Sequence, residues 1–520
     1  MLETKGIGDV SGGELAVVRP GRGRAKVEQV LGASDRIDNV LEALLVESGA
    51  REEFEEHDPP EAVDPNRADL RDLLTYTIDP ETAKDFDDAL SFRREGDGIR
   101  AWVHIADVSW FIGAGTPLDN GAARRAFSTY VPGAVAPMLP HELADDLCSL
   151  RPHQDRLCVT VEMPPEGEPI FYRSTIRSDA RLSYGEAERG GAPSAVLDAL
   201  ALNDELAQRL RAARFARGAL QVQSREVAFR FDERGGVADA WLEAEPHAHV
   251  LVEELMVRAN EHVAAFLASR NKEALYRVHE RPDPQSIEHL LARLADLGVP
   301  TPPAPERPSP QQAATLAGEI SERVAEYVEQ SGRGRFAFPS LVLRSLKQAR
   351  YDPHNLGHSG LASAAYCHFT SPIRRYPDLV VHRALLRELG LSDDRLPGEL
   401  EPLAEHTSMR ERAAADIEYL ADDICLAWLL ERRLFERGWE EPWDGEIAGV
   451  IQSGLFVRFA EVFEGFLPAR RLHGEFFEMN ALGTSLAGRT TGRTYRLGDP
   501  IEVRVESIAR NEGKVELAPR

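Results

Sequence analysis

Apolar residues along this chain follow two different periods, and the switches between them divide it. Near the front, Gly13 to Val18 and Ala25 to Leu31 have the look of two short strands, joined by the basic turn Arg19-Pro20-Gly21-Arg22-Gly23-Arg24. Asp38 to Ser48 then repeats at helical spacing, with Val40, Leu41, Leu44 and Leu45 on one face. Glu52 to Pro65 is acidic and proline-bearing, and reads as a connector. Strand formers return in Ile99 to Val108, Arg156 to Met163 and Ile170 to Ile176. Helical spacing takes over in Val196 to Arg217, Val250 to Ser269, Ser286 to Leu297 and Gln311 to Gln330, and Leu403 to Arg437 is one long helical pattern. The proline-rich run Val299 to Pro305 lies between two of these helices as an internal link.

From Trp443 to Leu517 the texture changes to short strands and glycine turns. Gly445–Ile447, Gly454–Phe459, Glu464–Leu467, Gly498–Val505 and Lys514–Leu517 predict a five-stranded OB-type barrel. Exposed aromatics at Phe456, Phe459 and Phe466 would let it stack single-stranded bases; a small barrel with no such role is the competing reading. The predicted architecture is therefore α+β and multidomain. Residues 1–69 form a short leading module and connector, 70–440 a large mixed domain, and 441–520 the barrel.

One stretch departs from either period. Thr77 to Ser91 reads T-I-D-P-E-T-A-K-D-F-D-D-A-L-S, with Asp79, Asp85, Asp87 and Asp88 close together, one lysine (Lys84), and apolar flanks. A solvated acidic turn would carry polar neighbours. Burying these carboxylates costs several kcal/mol per unpaired ion, so about that much neutralisation is required. Mg²⁺, with Mn²⁺ as an alternative, is the expected neutraliser, because hard divalent cations take carboxylate oxygens.

Composition narrows the class. The chain has 520 residues, 43% hydrophobic and 28% charged, which suits a globular protein of more than one core. Its net charge of −25 argues against a surface that binds nucleic acid non-specifically, unless basic residues line a channel. Cys148, Cys158, Cys367 and Cys425 lack disulfide or metal-ligand spacing, and no apolar leader or membrane-length run occurs. A cytoplasmic protein, and a monomer, is expected.

A second cluster reads H-F-T-S-P-I-R-R-Y-P-D-L-V-V-H-R at 368–383. Arg374 and Arg375 precede a helix expected to begin near Asp378, and arginine grips phosphate with paired hydrogen bonds. Carboxylates for a metal and arginine for a phosphoryl group are the parts that phosphodiester hydrolysis requires. His104, within an apolar strand, reads as a satisfied core histidine rather than a base.

With both clusters in view, the chain resembles the ribonuclease II/ribonuclease R exoribonucleases and their RNB catalytic domain. The resemblance rests on T-I-D-P-E-T-A-K-D-F-D-D-A at 77–89, H-I-A-D-V-S-W-F at 104–111 and S-T-Y-V-P-G-A-V-A-P-M-L-P at 128–140. It continues through G-A-L at 218–220, V-E-E-L-M-V-R-A-N at 252–260, L-Y-R-V-H-E-R-P-D at 275–283 and H-F-T-S-P-I-R-R-Y-P-D at 368–378, in that order. The final barrel is similar to the family's S1-type domain. Ahead of the catalytic motif the family usually carries two cold-shock barrels, whereas here about seventy residues stand there, a partial barrel or another module.

The resemblance implies a Mg²⁺-dependent 3′→5′ exoribonuclease that degrades single-stranded RNA to nucleoside 5′-monophosphates in RNA turnover or processing. It implies that Asp79, Asp85, Asp87 and Asp88 hold metal, Asp87 being the most critical, and that Arg374 meets the scissile phosphate with Arg375 as helper. Tyr130 resembles an aromatic clamp on the last nucleotide. Tyr184 and Glu253, or Glu254 in its place, are similar to residues that contact the terminal ribose, where the 2′-OH separates RNA from DNA. Glu418 matches a glutamate facing the site. A non-catalytic RNA-binding protein of the same fold is the alternative; it would be expected to lack an aspartate or the arginine, and all are present.

Overall fold

The computed structural model describes residues 10–19, 26–220, 226–243, 247–472 and 474–520. The predicted basic turn falls largely outside these, with Pro20 to Arg24 undescribed. Its flanking strands β1 (Glu14–Arg19) and β2 (Lys26–Ala33) form an antiparallel hairpin followed by α1 (Ile37–Glu47).

A seven-stranded mixed sheet carries the middle of the chain. Its strands are β3 (Ala68–Asp69), β4 (Tyr76–Asp79), β5 (Asp88–Glu95), β6 (Gly98–Ala106), β7 (Asp155–Met163), β8 (Ile170–Arg177) and β9 (Ala180–Ser183). Their spatial order is β9-β4-β5-β6-β7-β8-β3, with the edge strands parallel to their neighbours and the inner pairs antiparallel. Leu90, Val103, Ile105, Val159 and Val161 face one side and share a core with α2 (Ser194–Ala216) and α3 (His247–Ser269). On the opposite face a buried polar string runs from Thr75 through Ser91, His104 and Thr160 to Ser174, each link 2.6–3.1 Å. Burial holds His104 neutral, pushing its pKa down to about 3. It is a core histidine.

The helices Pro284–Asp296, Pro310–Ser331 and Ala337–Ser345 share a core of their own, and two more helices follow. α4 (Tyr376–Glu388) packs near the sheet, and α5 (Leu400–Arg437) runs on into the C-terminal region. α4 begins two residues before the expected Asp378 because Pro377 suits the first helical turn.

The C-terminal strands close into a barrel of β10 (Trp443–Ile451), β11 (Gly454–Phe459), β12 (Phe463–Pro468), β13 (Pro500–Ala509) and β14 (Lys514–Pro519), in the order β10-β11-β12-β14-β13. Between β12 and β13 sits a three-stranded sheet, Phe477–Met479, Ser485–Gly488 and Thr494–Arg496, whose strands are too short to leave a readable period. One barrel expectation is corrected. Phe459 is 1% exposed and packs on Trp443 and Phe463, so it stacks no base. Strand alternation turns Leu455, Val457 and Phe459 inward, whereas Phe456 faces out against Phe466 at 5.2 Å.

The leading module and the barrel share one core. Leu41 and Leu45 of α1, Ile424, Leu429, Leu430 and Leu434 of α5, and Leu455, Val457 and Leu517 of the barrel belong to the same apolar cluster. A cut at residue 440 therefore passes through packed side chains. Leu430→Ala should cost about 2–5 kcal/mol and lower amide-exchange protection in α1 and in the barrel together. Loss confined to α5 would mean that the three parts open independently.

Candidate active site

The acidic stretch forms the turn between two antiparallel strands. Asp79 ends β4, Asp88 opens β5, and residues 80–87 connect them. The turn closes where the Ala83 N–H donates to the Pro80 carbonyl. It is then tied down from below. Ser149 Oγ accepts from the Phe86 N–H at 3.1 Å and donates to the Lys84 carbonyl at 2.6 Å. The Leu150 N–H donates to the Phe86 carbonyl and the Ala106 N–H to the Asp87 carbonyl, each at 2.9 Å. Buried Phe86 is the anchor that draws the carboxylates inward.

The arginine cluster meets this turn directly. The Ile373 N–H donates to Asp87 Oδ1 at 2.9 Å, and Arg374 Nε stands 3.7 Å from Asp87 Oδ2. Arg374 also donates to Ser371 Oγ at 3.2 Å and keeps about half its side chain exposed, at 48%. Arg375 does something else. Its fork binds Asp378 at 2.9 and 2.8 Å, while its charge still acts on Asp88. The ion pair braces the turn through Asp378, which also accepts from the Ser371 N–H at 2.8 Å.

A strand-like segment stitches the aromatic residue to the same place. Ser128 N–H donates to the Arg374 carbonyl and Tyr376 N–H to that of Ala126, while Phe127 pairs with Arg375. The following hairpin, Thr129–Val131 with Ala134–Ala136, presents Tyr130 at the mouth, 38% exposed. Its hydroxyl donates to Asp85 Oδ2 at 2.6 Å, and its N–H donates to Glu418 Oε1 at 2.8 Å. Glu418 of α5 therefore does face the site.

Electrostatics mark the turn as under-neutralised. Burial pushes Asp87 well above the usual carboxylate range, with Arg374 opposing. Burial and the neighbouring Asp88 charge raise Asp79, and burial raises Asp88 against the pull of Arg374 and Arg375. Burial and the Asp85 charge likewise push up the Tyr130 hydroxyl, and burial raises Glu418. Asp79 Oδ2 and Asp87 Oδ2 are buried with no hydrogen-bond partner. Two orphaned, oxygen-only acceptors among like charges are a donor set suited to Mg²⁺ or Mn²⁺. Among the described residues no three such side chains converge as a ready-made cage.

The remaining expected residues flank this centre. Tyr184 opens a short helix, Tyr184–Arg189, whose capping box joins Ser183 and Glu186. Its ring meets His249 of α3 edge-on at 5.6 Å, and burial together with the charges of Asp88 and Asp79 raises its hydroxyl pKa. One turn along α3 from His249, the two glutamates separate: Glu254 is buried, at 1%, while Glu253 keeps 32% of its side chain exposed. Arg181 escaped the sequence reading. It pairs in register with Thr77 on the next strand and donates to the Pro80 carbonyl at 2.5 Å, beside Asp79. Only the parallel pairing of β9 with β4 puts it there, and that leaves no local pattern.

These raised acids give a signed stability prediction. A carboxylate with a raised folded-state pKa contributes stability at low pH that is lost as pH climbs through that value. Without metal, Asp87→Asn should therefore stabilise the protein at pH 7–8, with a smaller gain at pH 4. Thermal melts in chelator at both pH values would measure it. A variant less stable at pH 8 would contradict the unneutralised carboxylate.

Residues 67–390 match the RNB domain. The chain is 35% identical over 489 residues to ribonuclease R of Escherichia coli, covering 88% of this chain and 58% of that relative. It thus spans a little under three-fifths of that relative's length. Its fold is similar to Mycoplasma genitalium RNase R in complex with ribose-methylated single-stranded RNA, at 28% identity and a TM-score of 0.85, over 95% of this chain and 80% of that one. It is also similar to the same enzyme in complex with double-stranded RNA, at 25% identity and a TM-score of 0.82, over 99% and 90%. With 67–390 amounting to more than half of its length, the chain belongs to the RNB domain family.

Proposed function

We propose that this chain is a hydrolytic 3′→5′ exoribonuclease that degrades single-stranded RNA to nucleoside 5′-monophosphates with Mg²⁺, or Mn²⁺ in its place. The observation that carries the reading is the facing of Asp87 and Arg374: a buried carboxylate oxygen without a hydrogen bond, and a half-exposed guanidinium 3.7 Å away. The RNA complexes of the Mycoplasma relative support the substrate class.

Asp79, Asp85, Asp87 and Asp88 would hold the cation. Bound there, it supplies Lewis acidity at the phosphoryl group and a water acidic enough to attack. The chain's residues do the rest. The Ile373 N–H fixes the orientation of Asp87 by holding Oδ1, leaving Oδ2 for the cation. Arg374, anchored by Ser371 and 3.7 Å from Asp87, would meet the charge that grows on the phosphoryl oxygens. Tyr130, pinned through its hydroxyl and its backbone, offers its ring to the terminal base. Tyr184 and Glu253 would meet the terminal ribose, and Phe456 on the barrel would stack an upstream base. A single threaded strand fits the net charge of −25, because only the path needs to be basic.

The test uses 5′-labelled single-stranded RNA with Mg²⁺. The intact chain should give a ladder receding from the 3′ end, lost in chelator and in Asp87→Asn while RNA binding persists. Binding without shortening by the unaltered chain would replace the reading with that of a non-catalytic RNA-binding protein, and internal fragments would indicate an endonuclease. Arg374→Ala should lower kcat by about a hundredfold or more, the usual loss when one donor to developing charge is removed.

A further inference from the structure

Outside the metal turn, one buried cation bonds to two successive carboxylates. Arg214 lies on α2 and Glu253 and Glu254 lie on α3, so their contact bridges two helices. Arg214 is 6% exposed. Its Nη2 donates to Glu254 Oε1 at 2.5 Å and to Glu253 Oε1 at 3.2 Å, and its Nε donates to Glu254 Oε2 at 3.2 Å. Glu254 thus receives two bonds and is sealed in, while Glu253 receives one, through Oε1. The Glu253 side chain remains 32% exposed, on the α3 face that carries His249 one turn earlier, against the Tyr184 ring.

The division of labour is physical. A half-exposed glutamate has several rotamers, and fixing one costs side-chain entropy at each binding event. A bond to one oxygen from a planar, buried guanidinium fixes the rotamer beforehand and leaves Oε2 as an acceptor. Glu254 in turn keeps Arg214 in place: it is the charge that makes burial of the cation tolerable. An acceptor held still one helical turn from His249, which packs on Tyr184, suits a hydroxyl donor, and on the terminal nucleotide the donor that separates RNA from DNA is the ribose 2′-OH.

We propose that Arg214 is a positioning residue for sugar selectivity, holding Glu253 ready to accept the 2′-hydroxyl of the terminal nucleotide while Glu254 serves as its buried counter-charge. This rests on the exoribonuclease reading above.

The experiment measures kcat/KM on two oligonucleotides that differ only in a ribose or a 2′-deoxyribose at the 3′-terminal positions, and takes their ratio. Arg214→Met should lower the ratio about tenfold, the worth of one charge-assisted hydrogen bond. Because this change strands Glu254, the balanced pair Arg214→Met/Glu254→Gln is measured alongside and should show the same loss. Glu253→Gln should lower the ratio comparably, and adding Arg214→Met to it should lower it no further. A merely structural arginine would slow both substrates equally and leave the ratio unchanged. That result, with the Glu253→Gln effect present, overturns the proposal and leaves the exoribonuclease standing. A fall with Arg214→Met but none with Glu253→Gln overturns it too, since the effect would not pass through Glu253. If the unaltered chain shortens neither oligonucleotide, the exoribonuclease reading itself fails and the proposal falls with it.

Discussion

A buried carboxylate that its one nearby guanidinium only partly offsets is the constraint on which this structure turns. Asp87 is 4% exposed, receives one backbone hydrogen bond, and has only the displaced guanidinium of Arg374 beside its other oxygen. Such a group is expensive, and the fold accepts the cost by over-determining everything around it. Phe86 is locked by Ser149 and Leu150, β5 and β6 are paired along their lengths, and the turn at 371–375 is braced by Asp378. A cation bound beside Asp87 would offset that cost.

Adjacent residues with the same chemistry are sorted by backbone geometry. Arg374 and Arg375 are neighbours, yet extended backbone sends one to the carboxylate turn and the other into an ion pair with Asp378. Helical phase does the same for Glu253 and Glu254, burying the second and presenting the first. In each pair the more buried partner is committed to an ion pair, Arg375 with Asp378 and Glu254 with Arg214. Strand alternation repeats the pattern in the barrel, where Phe459 supports the core and Phe456 faces outward.

The core joining α1, α5 and the barrel links the C-terminal barrel to the carboxylate turn through a single helix. α5 carries Glu418, which accepts from the Tyr130 N–H, and a few turns later it contributes Leu429 and Leu430 to the barrel side. Barrel and aromatic residue are thus fastened to one rigid element rather than to separate loops.

The sequence by itself determined the elements and the chemistry. Long helices with several turns of apolar repeat, such as α2, α3 and α5, were legible to within a few residues, because a wide buried stripe leaves a periodic record. So were the barrel strands and the burial of Asp87, which its apolar flanks betrayed; Asp79, Asp85 and Asp88 are partly buried. Three-residue strands and the helix at Ala337–Ser345 were missed, being too short for a period to register. Tertiary structure alone decided direction and partnership: that Arg375 pairs with Asp378, that Phe459 faces in, and that Arg181 stands beside Asp79 across a parallel strand pair. It alone brought Arg214 to Glu253 from another helix. The physical reason is the same throughout. Periodicity records which face of an element is buried, but the groups that meet across that face come from distant parts of the chain and leave no mark on one another's local sequence.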